Sequence, residues 1–120
     1  MNIEQAHALI ERQARAWEQA DADTAVADFA PHGVLISPSG RWRGHVAIRA
    51  AMAAFFETVD QVKVTVTRVL LDGDQGAVEW TWSEIRCADG SRHTAEDAII
   101  FELCEDKIVY WREYFDTADF

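Results

Sequence analysis

Apolar residues recur at three- and four-residue steps at Ile3, Ala6, Ile10, Ala14 and Trp17, which predicts a helix over the first ~18 residues with one buried stripe. Asp23 is placed to cap a short second helix running through Phe29, and Pro31 halts its continuation. Together they predict a helical hairpin. Val34-Leu-Ile-Ser37 reads as a short strand entering the turn residues Pro38, Ser39 and Gly40. Beyond Gly44, the positions Ile48, Met52, Phe55 and Val59 mark a third helix.

From Gln61 onward the period falls to two, with Val62, Val64 and Val66 alternating with Lys63, Thr65 and Thr67. Turn signals at Asp72-Gly73, Asp89-Gly90 and Glu105-Asp106-Lys107 divide the remainder into strands of roughly ten residues, an antiparallel meander. Helices first and strands afterwards is an α+β order. The chain contains no internal repeat, low-complexity stretch or linker, so residues 1–120 read as one domain.

Alternation also sorts the polar residues. One strand puts Trp80, Trp82 and Glu84 on a common face; the next puts Asp97 with Ile99 and Phe101; the last puts Glu113 with Trp111 and Phe115. If the tryptophan faces converge, Glu84, Asp97 and Glu113 converge with them. Carboxylates gathered on an apolar wall lose hydration and repel one another, so at least one should hold a proton near neutral pH and serve as a general acid or base. The plainer alternative pairs Glu84 and Glu113 with Arg86 and Arg92, or leaves them at a pocket mouth. His93 has the parity of Asp97 and is a lesser candidate as a proton carrier.

Composition narrows the partners. With 49% hydrophobic residues the chain can bury a sizeable core, and a net charge of −10 repels phosphate backbones and anionic membrane surfaces. Nucleic acid is not expected as a partner. No run reaches the length of a membrane span, and Met1-Asn-Ile-Glu-Gln lacks the pattern of a signal peptide, so a cytoplasmic protein is expected. Cys87 and Cys104 have no ligand or redox spacing and read as free thiols; His7, His32, His45 and His93 are scattered, and no metal is expected. Glycine-rich phosphate loops and nucleophile elbows are absent.

Several short motifs, taken together, resemble a known family: Trp17 with Asp21-Ala-Asp23, Asp28-Phe-Ala30, Gly44 four residues before Ile48, Leu71-Asp-Gly-Asp74, and Asp106-Lys-Ile108 leading into Trp111-Arg-Glu-Tyr-Phe-Asp116. The chain resembles the SnoaL-like branch of the nuclear-transport-factor-2-like superfamily, whose members include ketosteroid isomerases, polyketide cyclases and limonene-epoxide hydrolase. The resemblance implies a cone-shaped, curved sheet around N-terminal helices, a pocket between them, and a homodimer through the outer sheet face. The closing motif looks most like limonene-epoxide hydrolase, with Glu113 in the position of a catalytic acid, but that enzyme's Arg-x-Asp pair falls on Trp80 and Trp82, and its water-holding Tyr and Asn on Leu35 and Ser37. Against ketosteroid isomerase, the proton-shuttling Asp falls on Ser37, and the oxyanion-binding Asp falls on Ile99, with Asp97 two residues earlier on the same face.

The resulting expectation is a protein that binds a small, largely apolar molecule and performs cofactor-free acid–base chemistry of the isomerase, cyclase, dehydratase or hydrolase kind. Asp97, Glu113 and Glu84 are its candidate catalytic residues. Trp17, Met52, Phe55, Trp80, Trp82, Ile99, Trp111 and Phe115 are its candidate walls. The alternative is a non-catalytic ligand-binding or assembly domain with a vestigial pocket, and a third arrangement fills the cavity with the chain's own tryptophans.

Overall fold

A computed structural model describes residues 1–119. Helix α1 (Ile3–Glu18) opens with a capping box, in which the Asn2 side chain accepts from the Gln5 backbone and the Gln5 side chain accepts from the Asn2 backbone. Its buried stripe comprises Ala6, Leu9, Ile10, Gln13, Ala14 and Trp17, whereas Ile3 at the free end stays 44% exposed.

The second helix differs from the expectation at both ends. Helix α2 spans Ala22–Ala27, and its cap is Asp21 rather than Asp23, with Thr24 N–H donating to Asp21 Oδ1 at 3.1 Å and Thr24 Oγ1 donating to Oδ2 at 2.6 Å. Asp23, one position inside the helix, instead pairs with Arg49 at 2.6 Å. Pro31 ends nothing. It lies within strand β1 (Phe29–Ser37), where the pairing with β6 shifts register between Phe29 and Val34, so its missing N–H falls at an irregularity. Strand β1 thus begins five residues earlier than the Val34–Ser37 run alone predicted. Gly33 is required there, since a Cβ would stand 2.6 Å from the Ile108 carbonyl oxygen.

Strand β2 (Gly40–Arg43) was not anticipated; it folds back on β1 through the Pro38-Ser39 turn. Helix α3 (His45–Phe56) ends before Val59, which already belongs to strand β3 (Val59–Asp72). Strands β4 (Gln75–Arg86), β5 (Arg92–Cys104) and β6 (Lys107–Tyr114) complete the meander.

The six strands form one open, curved sheet of order β2-β1-β6-β5-β4-β3, antiparallel throughout except for the parallel β1–β6 pair. Helix α1 lies along β3: Arg15 Nη2 donates to the Val64 carbonyl at 2.7 Å, and Val64 N–H donates to Glu18 Oε2 at 2.8 Å. These bonds blunt an edge strand that would otherwise present open pairing groups. On the concave face Trp80, Trp111, Phe101 and Phe29 pack ring against ring, with centroids 5.8 to 6.4 Å apart, and close one end of the curve.

Candidate functional site

At the other end the concave face stays open. A cavity of about 560 Å³ lies between the sheet and helices α1 and α3, within the range of small-molecule sites. Trp17, Met52, Phe55, Trp82 and Phe115 line it, as do all three predicted carboxyl residues, Glu84, Asp97 and Glu113. Trp80, Ile99 and Trp111 do not. They are buried to 1% exposure or less in the packed end, so their place is beneath the cavity rather than on its wall. Two positions of the β1–β2 turn, Ser37 and Ser39, contribute hydroxyls 2.8 Å apart, and Trp42 of β2 adds another ring.

Strand register brings the carboxyls together. Glu84 stands opposite His93, Trp82 opposite Ala95, Trp80 opposite Asp97, and, one strand further, Ile99 opposite Glu113. Asp97 and Glu113 are therefore diagonal neighbours on one face. The cavity carboxyls of β4 and β5 each meet an indole: Trp82 Nε1 donates to Glu84 Oε1 at 2.8 Å, and Trp80 Nε1 donates to Asp97 Oδ2 at 3.2 Å.

The three groups then divide into two kinds. Glu84, 3% exposed, has Arg86 Nε 3.6 Å from its Oε2, so the ordinary ion-pair reading applies to it. Arg92 turns elsewhere, donating to Ser83 Oγ at 2.9 Å. Asp97 forms no ion pair among the described residues. Burial pushes its carboxyl up to about 7, against the opposing influence of the Trp80 indole, the Glu113 side chain and the Tyr114 backbone N–H. Its second oxygen, Oδ1, is buried with no hydrogen-bond partner among the described residues. Glu113 is raised well above the carboxylate range, first by burial and then by the charge of Asp97; the Trp111 indole pulls the other way but closes no hydrogen bond of its own. Part of Glu113 remains accessible, because it also borders a second cleft with Glu96, Arg112 and Asp116, yet loss of hydration outweighs that access. His93, the lesser candidate, has Nε2 2.8 Å from Ser91 Oγ.

One wall is held from behind. Trp17 Nε1 donates to buried Gln13 Oε1 at 3.3 Å, Gln13 Nε2 donates to Asp28 Oδ2 at 2.9 Å, and Arg12 donates to both oxygens of Asp28 at 2.9 to 3.1 Å. This network fixes the Trp17 ring against Phe55 and Trp82, at centroid distances of 6.0 and 5.8 Å.

A sequence model of the SnoaL-like domain matches residues 10–111. The chain belongs to the SnoaL-like family. Solved structures place this SnoaL-like chain among related folds. An epoxide hydrolase of M. tuberculosis, described as similar to limonene-epoxide hydrolase, superposes with TM-score 0.81 at 25% identity, covering 97% of this chain and 86% of that one. A protein with a ketosteroid-isomerase-like fold from Catenulispora acidiphila, solved in complex with trimethylamine, gives TM-score 0.87 at 17% identity, with 92% and 87% coverage. An NTF2-like protein from Burkholderia pseudomallei gives 0.86 at 16%, with 99% and 95% coverage. Comparison with curated proteins returns no match.

Sequence reasoning missed Ser39, Trp42 and Arg86 as lining residues. Trp42 carried no usable signal, since Gly40–Arg43 is too short to show a strand period.

Proposed function

We propose that this SnoaL-like protein binds a small, largely apolar molecule in the cavity and performs cofactor-free acid–base chemistry on it, of the isomerase, cyclase, dehydratase or hydrolase kind. The observation that carries the reading is the Asp97–Glu113 pair: two neighbouring carboxyls in an aromatic cavity, Asp97 pushed up to about 7 and Glu113 raised well above its ordinary value by burial and by the charge of Asp97. Such a pair holds a proton and a free acceptor side by side at neutral pH. In this scheme Asp97 as carboxylate takes a proton from an acidic carbon or an activated water, while Glu113 as carboxylic acid donates to the substrate oxygen that gains charge. Return of the two protons restores the pair. Glu84, already bonded to Trp82 and near Arg86, acts as polar wall.

The test has two parts. Carboxyl NMR should show two groups titrating together well above 4, and a panel of lactones, epoxides and enones should include a ligand that raises the melting temperature and is turned over. Asp97→Asn and Glu113→Gln should each abolish turnover while retaining binding. Ordinary titration of both carboxyls would defeat the scheme.

We further propose a homodimer through the convex sheet face. Pairings Leu70–Ala77, Ala77–Ile100 and Ala98–Tyr114 lay apolar groups in adjoining outward rows, and Leu70, Ile100 and Tyr114 are 55%, 42% and 47% exposed. Solution scattering giving a monomer mass at micromolar concentration would overturn it. The exposed free thiols of Cys87 and Cys104 fit a reducing compartment such as the cytoplasm. No helix among the described residues is long and apolar enough to cross a membrane.

A further inference from the structure

Trp80 and Trp111 lie beneath the cavity at 1% exposure, and each brings an indole N–H to a different member of the carboxyl pair. Trp80 Nε1 donates to Asp97 Oδ2 at 3.2 Å. Trp111 Nε1 lies beside Glu113, yet it is buried with no hydrogen-bond partner among the described residues. The two rings pack on each other with centroids 5.8 Å apart, and Phe29 and Phe101 pack against Trp111, so both indoles are held in place.

The carboxyl oxygens show a matching gap. Asp97 Oδ1 closes no hydrogen bond, although its carboxyl has the Glu113 side chain and the Tyr114 backbone N–H as neighbours. Two ionised carboxylates offer acceptors only, so the contact between Asp97 and Glu113 closes when one proton lies between them. A buried donor left open is rare, and the open N–H of Trp111 calls for a state of the site in which it is used. Other titratable groups around the pair have partners of their own or lie outside the cavity. Glu84 is bonded to Trp82 with Arg86 at 3.6 Å, His93 is bonded to Ser91, and Glu96, Arg112 and Asp116 border the cleft beyond Glu113. Helices α1 and α3 and strand β1 line the cavity with uncharged residues.

Resting on the reading of the pair as an acid–base centre, we propose that Trp80 and Trp111 are positioning residues that hold the pair's single negative charge in two alternative places. At rest Glu113 carries the proton and donates it to Asp97 Oδ1, while Trp80 Nε1 donates to Asp97 Oδ2 and keeps that group the carboxylate. Once Asp97 has taken a proton from the substrate and Glu113 has given its own away, the charge sits on Glu113, and the Trp111 N–H is already in place to meet it. Return of the two protons resets both. An indole donates and never accepts, so neither tryptophan exchanges protons with the pair. The donor left open at rest thus stabilises only the state that follows proton transfer, which is the condition for lowering a barrier rather than tightening the resting site.

The test needs no substrate. Carboxyl NMR reads the two titration steps of the pair. Trp80→Phe should raise the lower step by at least about one unit, a tenfold change in proton affinity, because the carboxylate loses its donor. Trp111→Phe should raise the upper step by a similar amount and leave the lower one in place. In the wild-type protein, where no variant has to fold, the indole N–H resonance of Trp80 should move with the lower step and that of Trp111 with the upper, while that of Trp17, bonded to the Gln13 side chain, stays still over the same range. Indole resonances that follow neither step, or variants that shift both steps alike or neither, overturn the positioning roles while leaving the pair intact. Ordinary titration of both carboxyls in the wild type overturns the pair and the positioning roles together.

Discussion

Replacing Asp97 by Asn should stabilise the protein in alkaline solution and do little in acid. A carboxyl whose pKa is higher in the fold than in the unfolded chain favours folding fully below the unfolded value, and that contribution is lost as pH climbs through the folded value. With Asp97 at about 7 in the fold and 3.8 as its ordinary value, the wild-type chain loses about 1.4 kcal/mol per pH unit across the interval. Asparagine keeps the shape and the acceptor for Trp80 Nε1 but has no charge to desolvate. Between about pH 5 and about pH 8 the variant should therefore gain on the wild type by at least about 2 to 3 kcal/mol, because Glu113, relieved of its charged neighbour, also loses less stability as pH rises. Urea unfolding followed by tryptophan fluorescence at several pH values measures the difference directly, and using the difference cancels the titration of the remaining acidic residues. Parallel stability curves for the two proteins would refute the reasoning, because they would mean that Asp97 is ionised as readily in the fold as outside it.

The supports of the site should respond in proportion to what they hold. Asp28→Asn weakens the bidentate Arg12 contact and the Gln13 link behind Trp17, and should cost about 2 to 3 kcal/mol in urea unfolding, with a changed Trp17 emission. Trp82→Phe removes the 2.8 Å donor to buried Glu84 and should cost about 1 to 2 kcal/mol, whereas Phe55→Leu, which leaves every hydrogen bond in place, should cost less. Gly33→Ala drives a Cβ against the Ile108 carbonyl at 2.6 Å and should lower stability by about 2 kcal/mol through the β1–β6 pairing, read as a drop in the urea midpoint.

Much of this protein was determined by local chemistry. The 3.6-residue stripe from Ala6 to Trp17 and the twofold alternation through β3, β4, β5 and β6 are properties of neighbouring residues, and alternation alone put Asp97 with Ile99 and Glu113 with Trp111. Which end of a face is filled and which stays open is a different matter. It depends on strand register, bulges and helix placement, so Trp80, Ile99 and Trp111, of the same parity as the cavity residues, end up beneath the wall. Local pattern also failed where a short-range signal competed with a long-range pairing. Pro31 reads as a helix stop but sits in a strand because β6 supplies a parallel partner from the far end of the chain, and four residues were too few for β2 to announce itself before β1 lay alongside. The division of the carboxyls was likewise tertiary: residue types on a strand cannot say that Arg86 lies beside Glu84, or that burial raises Asp97 and Glu113 while no ion pair is recorded for either among the described residues, and that difference in surroundings sets Glu84 apart from the other two.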